Sequence, residues 1–299
     1  MNVTLTQEGA RLLNELIDCG EFADAADAIE NALRALRGRR SDSPAKEPVN
    51  SRGSAVLAPV LKCRPEAATV VKLGSWPALV AELRIRNGLW LEEYKGKFGV
   101  FSGTNSYVST IRAAQPIIQK DWANLTKTEA RVLLGLIDEG ADYGHLGAMG
   151  AARTVKHVFL RATPENLEKR QTVHAAINSI MNQPLDASFP RKARRAQEII
   201  REIDGFGTAG STRLLALARP DSLVSVNGES AAGLAELSGI APARVKKPAG
   251  YEELIEWTMG RPWWSAAAPE TLIERDLWSY RAALIDAFVF EGDHFRKHS

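Results

Sequence analysis

The sequence predicts a mainly α protein of two domains: a small strand–helix–helix unit, then a larger all-helical domain with one helical hairpin and a small β-hairpin. Three observations predict this. Residues 41–54 (SDSPAKEPVNSRGS) are polar, Pro- and Ser-bearing and without apolar periodicity, so they read as a linker between residues 1–40 and residues 55–299. Most of the chain beyond them repeats apolar residues at helical spacing, with Gly, Pro or Asn at the junctions. The exception is 88–103, GLWLEEYKGKFGVFSG, where two short apolar runs flank Lys95-Gly96-Lys97 in the manner of a β-hairpin.

In residues 1–40 the first element is a short strand. Val3 and Leu5 are apolar while Asn2, Thr4 and Thr6 are polar, a period-two pattern with one buried face. A helix follows from about Gln7, with Leu12, Leu13, Leu16 and Ile17 on one stripe, and Gly20 closes it. Asp24 can cap a second helix whose stripe is Ile29, Leu33 and Leu36. So short a segment buries too little surface to stand alone, and a second chain must complete its core.

The run VTLTQEG…LLNELIDCGEFADAADAIENALRAL resembles the ParD/CopG-type ribbon-helix-helix family of antitoxins and repressors over residues 1–38. The resemblance implies a homodimer whose paired strands enter the DNA major groove through Asn2, Thr4 and Thr6. One departure stands out. Asp24 and Asp27 put carboxylates where that family seats a phosphate, so a dimerisation or protein-binding module without DNA contact is the alternative.

In residues 55–299, helical patterns run over about 126–139, 151–161, 165–181, 190–203, 210–219, 228–237, 251–259 and 270–290. All seven tryptophans come after residue 75, and Trp263, Trp264 and Trp278 read as core packing. Residues 190–219, PRKARRAQEIIREIDGFGTAGSTRLLALAR, form the helical hairpin. One helix ends on Ile199, Ile200 and Ile203, Gly205-Phe206-Gly207 makes a tight turn, and Leu214, Leu215 and Leu217 line the second helix. Small residues from Thr208 to Thr212 leave backbone N–H groups at a helix start, a seat for phosphate that tolerates any base sequence. The expected DNA contacts are therefore Gly205, Phe206, Gly207, Thr208, Ala209 and Gly210, with the basic cluster Arg191, Lys192, Arg194 and Arg195.

Residues 190–237 resemble the helix-hairpin-helix glycosylase superfamily of base-excision repair. The resemblance implies a scaffold with a DNA-facing side and argues against the chemistry. Asn227 stands where that family has its catalytic aspartate, and Ala209 where bifunctional members have a lysine. An amide cannot serve as general base or stabilise an oxocarbenium ion as a carboxylate does. Asn227 and the nearby Glu229 therefore read as an active-site remnant.

Composition bounds the rest. The 299 residues are 45% hydrophobic and 25% charged, ordinary for a globular protein. Charges interrupt every apolar stretch before membrane-spanning length, and the first residues lack a signal peptide's basic and apolar regions. A cytoplasmic, nucleoid-associated protein without a membrane partner is expected. Cys19 and Cys63 read as two free thiols. Net charge is only +2, and residues 1–40 hold five basic against seven acidic groups, so the first domain alone would bind DNA weakly.

The five histidines, His145, His157, His174, His294 and His298, show no metal-ligand pattern, so neither metal nor cofactor is expected. Glu92-Glu93-Tyr94-Lys95 has the look of a nuclease carboxylate–lysine set, but no upstream aspartate completes it. Asp286 and Glu291 flank Ala287-Phe288-Val289-Phe290 and read as helix-end charges.

The function expected from the sequence is a non-catalytic, dimeric protein that grips double-stranded DNA. By analogy it belongs among regulators or parts of a bacterial defence or toxin–antitoxin system. Two alternatives stay open: a glycosylase-like or nuclease enzyme acting on DNA, and an antitoxin-like module binding a protein encoded nearby.

Overall fold

The computed structural model describes residues 74–102, 105–138, 141–149 and 152–290. The chain divides into two compact units, Met1–Arg64 and Pro65–Ser299, and every described residue belongs to the second. The segment expected to form a ribbon-helix-helix, with Asn2, Thr4 and Thr6, the expected linker, Glu291, His294 and His298 lie outside the described residues.

The described chain is mainly helical, with thirteen α-helices. Helix α1 (Trp76–Glu93) starts at Ser75, whose side chain accepts from Ala78 N, with Pro77 in the first turn. It buries Trp76, Leu79, Val80, Leu83 and Trp90 at helical spacing. That stripe corrects the β-hairpin expected at 88–103. Residues 88–93 continue α1, and the helix stops where Lys95 and Gly96 take positive φ and Gly96 N donates to Leu91 O at 2.7 Å. The strand after the turn, β1 (Phe98–Gly99), pairs in parallel with β2 (Asn105–Ser106) rather than back on 88–93.

Helix α2 (Tyr107–Ile118) opens with a capping box between Ser106 and Ser109, and α3 (Lys127–Leu134) with one between Thr126 and Glu129. The helical pattern expected to reach residue 139 ends at Leu134, because Gly135 takes the left-handed C-cap conformation. An antiparallel pair follows, β3 (Ile137–Asp138) with β4 (Ala141–Asp142). Next come α4 (Arg153–Leu160), α5 (Pro164–Met181), α6 (Phe189–Arg201) and α7 (Gly207–Ala218). The remainder is α8 (Ala231–Ser238), α9 (Pro242–Val245), α10 (Pro248–Met259), α11 (Pro262–Ser265), α12 (Leu272–Ser279) and α13 (Leu284–Val289). The single helical run expected over 270–290 is therefore two helices. Between them the N–H groups of Ala282 and Ala283 both turn to Pro220 O at 3.0 Å.

One core joins these helices, from Trp76 and Leu79 through Ile177, Ile200 and Leu214 to Leu284 and Ile285. Helix α6 packs on α5, α7 and α10. The hairpin helix α7 is buried along nearly its whole length, including the polar Ser211, Thr212 and Arg213. It is a central strut of the domain, exposed chiefly where it begins.

Candidate functional site

Between α6 and α7 the chain turns at Gly205-Phe206-Gly207. Gly205 (φ 90°) and Gly207 (φ 49°) both adopt left-handed backbone, which a side chain disfavours, and between them Phe206 is buried. No side chain caps α7, so its first N–H groups, at the positive end of the helix dipole, receive no side-chain acceptor at the cap. The hydroxyls beside them are committed elsewhere. Thr208 donates to Lys246 O at 2.7 Å, Ser211 to Gly207 O at 2.8 Å, and Thr212 to Thr208 O at 2.8 Å. Thr212 also accepts from Val226 N at 2.9 Å, which ties α7 to the extended segment leading to Asn227.

The basic cluster does not join this turn. Arg191, Lys192, Arg194 and Arg195 occupy the first half of α6, whereas the hairpin follows its last turn, so about 9–15 Å of helix separates them. The cluster is also partly neutralised. Arg194 bonds Glu252 at 2.6 Å and approaches Glu198 at 3.5 Å, Arg195 approaches Glu198 at 3.5 Å, and Lys192 donates to Gln183 Oε1 at 2.7 Å.

Beside the start of α7 opens a pocket of about 480 Å³. Trp90, Tyr94, Phe98, Tyr107 and Phe290 form its aromatic walls, and Gly144 to Ala148, Ala209 and Asn227 to Glu229 complete it. The aromatic rings brace one another: Trp90 meets Phe290 edge-on with centroids 5.8 Å apart, Tyr94 meets Phe98 at 5.2 Å, and Tyr107 lies 4.7 Å from the His145 ring. The two positions singled out by the glycosylase resemblance, Ala209 and Asn227, thus line one cavity together with Glu229. Glu92 and Lys95 are exposed at the end of α1, and Tyr94 lines the pocket.

Behind the wall lies a group that the sequence reading set aside. Asp286, at 0% exposure, accepts from Asn227 Nδ2 through Oδ1 and from the Tyr107 hydroxyl through Oδ2, each at 2.8 Å. It is a helix-end charge, as expected, in the first turn of α13, but a fully buried one. Burial pushes its carboxyl up to about 6, opposed by hydrogen bonds from Ser230, Tyr107 and Asn227 and by the charge of Arg213. Burial and the neighbouring Asp286 charge also raise the Tyr107 hydroxyl well above its ordinary value. Asn227 Oδ1 is engaged too, accepting from Glu229 N at 2.9 Å and Ser230 N at 3.0 Å at the entry to α8. One sequence signal could have found Asp286: it is the only charge in the apolar run ALIDAFVF.

No protein-family model matches this chain. Neither does a curated protein or a solved structure. The site is therefore read from its own geometry. Among the described residues no cluster of three or more His, Cys, Asp or Glu is placed to hold a metal ion, and no helix is long and apolar enough to cross a membrane.

Proposed function

We propose that this protein binds double-stranded DNA through the α6–α7 hairpin and receives one extruded nucleobase in the aromatic pocket, holding the base without cleaving its bond to the sugar. One observation carries the proposal: Ala209, in the first turn of the helix whose N–H groups can seat a phosphate, also lines the pocket. A backbone held at that turn has its neighbouring base within reach of the cavity. The volume lies within the roughly 300–1,000 Å³ of small-molecule sites, and aromatic walls offer stacking to any base. Ala209 brings no amine and Asn227 no carboxylate, which favours a reader over an enzyme.

The test is duplex binding with 2-aminopurine at one position. Its fluorescence rises on extrusion, so a rise on binding, with no base release on prolonged incubation, is the expected result. Binding without a rise would refute the pocket's role. A second reading, excision, has one observation in its favour, the carboxylate-bearing Glu229 on the pocket wall. Steady base release that stops in Glu229→Gln would establish it.

The proposal includes a homodimer through residues 1–38, leaving each hairpin one DNA contact per subunit. Light scattering should give twice the mass for the full chain and a single mass for a chain beginning at residue 55. A dimeric shortened chain would remove dimerisation from that segment.

A further inference from the structure

Asp286 is flanked in α13 by Leu284, Ile285, Ala287 and Val289, all buried. A carboxylate among apolar side chains is tolerated only where donors replace the water it loses. Here the replacements are Asn227, Tyr107 and Ser230, brought from parts of the chain 59, 179 and 56 residues away. Two of these three donors belong to the pocket wall, although Asp286 itself does not line the cavity.

We propose that Asp286 is the positioning residue of the pocket: it commits the Tyr107 hydroxyl proton and one Asn227 amide proton, and so fixes the polar pattern that a bound base meets. The inference rests on the base-receiving reading above. With Asn227 Oδ1 already shared by two backbone N–H groups, that side chain has one amide proton left to offer. Tyr107, its proton committed, can offer a lone pair and no donor.

The arrangement holds only while Asp286 is ionised. Once protonated, the carboxyl becomes a donor, and its partners must rearrange: Tyr107 can accept from it and release its own proton toward another acceptor. The charged and titratable groups facing this cluster are Arg86 of α1, which donates to Phe290 O, Arg213 of α7, His145 against the Tyr107 ring, and Glu229 beyond Asn227. The Arg213 guanidinium favours the ionised form, while burial opposes it and prevails, so the changeover falls near pH 6.

The experiment measures binding of the full chain to a 2-aminopurine duplex from pH 5 to pH 8, for wild type, Asp286→Asn and Tyr107→Phe, with an unmodified duplex as reference. Expected is a change of about five- to tenfold in the 2-aminopurine preference of wild type around pH 6, flat in Asp286→Asn and reduced in Tyr107→Phe. Identical preference profiles in wild type and Asp286→Asn would overturn the proposal.

A second readout needs no ligand. In the nitrogen-15 spectrum, the Asn227 side-chain amide should shift with a midpoint near pH 6 in wild type, at higher pH in Tyr107→Phe, where Asp286 loses a donor, and not at all in Asp286→Asn. An amide that does not titrate in wild type would overturn the proposal. If the 2-aminopurine signal never rises, the base-receiving reading fails by itself, and the amide titration still decides the role of Asp286.

Discussion

Arg213 lies so close beneath Gly135 that a β-carbon at residue 135 would stand 3.0 Å from the guanidinium carbon. The arginine is 0% exposed, and its nitrogens donate to backbone carbonyls: Leu133 at 2.8 Å, Val132 at 3.1 Å, Tyr143 at 2.8 Å, Gly147 at 3.4 Å, and His145. These carbonyls belong to the end of α3 and to the segment forming one pocket wall. The second hairpin helix therefore holds the wall of the cavity that opens beside its own first turn.

Truncating Arg213 to Met should cost about 3 kcal/mol or more, because several buried carbonyls lose their donors at once. Gly135→Ala should cost about 1–3 kcal/mol, since alanine would have to keep a left-handed backbone and push against the guanidinium. Urea unfolding measures both. A loss under 0.5 kcal/mol for Arg213→Met, on the order of an ordinary surface change, would contradict this account of the strut.

The pH dependence of stability should carry the mark of Asp286. Its folded value, about 6, lies above its ordinary 3.8, so the folded state holds that proton more tightly than the unfolded state does. The stability from this group is fully present below about pH 3.8 and is lost as pH rises through about 6. The span corresponds to roughly 3 kcal/mol at about 1.4 kcal/mol per pK unit. Exposed carboxylates such as Glu253, lowered by Arg244, act in the opposite sense, so the quantity to measure is wild type minus Asp286→Asn. That difference should fall between pH 4 and pH 6 and level off above. A difference that rises over the same interval would reverse the assignment.

What was legible in the sequence follows from the range of the interactions involved. The hairpin could be read because glycine at 205 and 207 and an apolar residue between them are local requirements. Likewise the helices from α4 to α8 announce themselves through apolar period and punctuation. The expected β-hairpin at 88–103 failed because Trp90 reads equally well on a strand or a helix, and the stripe that decides it starts fourteen residues upstream at Trp76. The burial and partners of Asp286 were missed for a different reason. Its role is set by Tyr107 and Asn227, 179 and 59 residues away, and no local pattern reports such a meeting.

The basic cluster of α6 should contribute unequally to DNA binding. Arg191 is exposed and, among the described residues, makes no ion pair, whereas Arg194 is held by Glu252 and Glu198. If the cluster touches phosphate, Arg191→Ala should lower the slope of log affinity against log salt by about one, for every sequence alike, and Arg194→Ala by much less. Equal effects of the two substitutions would mean that Glu252 releases Arg194 on binding. No effect from either would leave the hairpin as this domain's phosphate contact.

The sharpest prediction concerns base excision. Purified wild type should bind duplexes bearing uracil, oxidised or alkylated bases without releasing them, and should not cut at abasic sites, since Ala209 offers no amine. Asn227→Asp should not convert it into an enzyme. The new carboxylate would sit where the Asn227 amide now meets Asp286 Oδ1 at 2.8 Å, so the two acids would have to share a proton at neutral pH. The lost donor and the repulsion should lower stability by about 1–3 kcal/mol. The double substitution Asn227→Asp with Asp286→Asn exchanges the acid and the amide, keeps one donor and one acceptor across the contact, and should recover most of that loss. It also brings a carboxylate to the pocket wall, at the position where the proposed glycosylase resemblance would have one. Base release by the double variant but not by wild type would show that the pocket already accepts the base and that only the carboxylate's place was changed. Robust release by wild type would overturn the reader assignment. Gly207→Val separates grip from pocket: open space surrounds the glycine, so the cost comes from its left-handed φ alone. A folded Gly207→Val protein should lose DNA affinity while the Asn227 amide keeps its titration near pH 6.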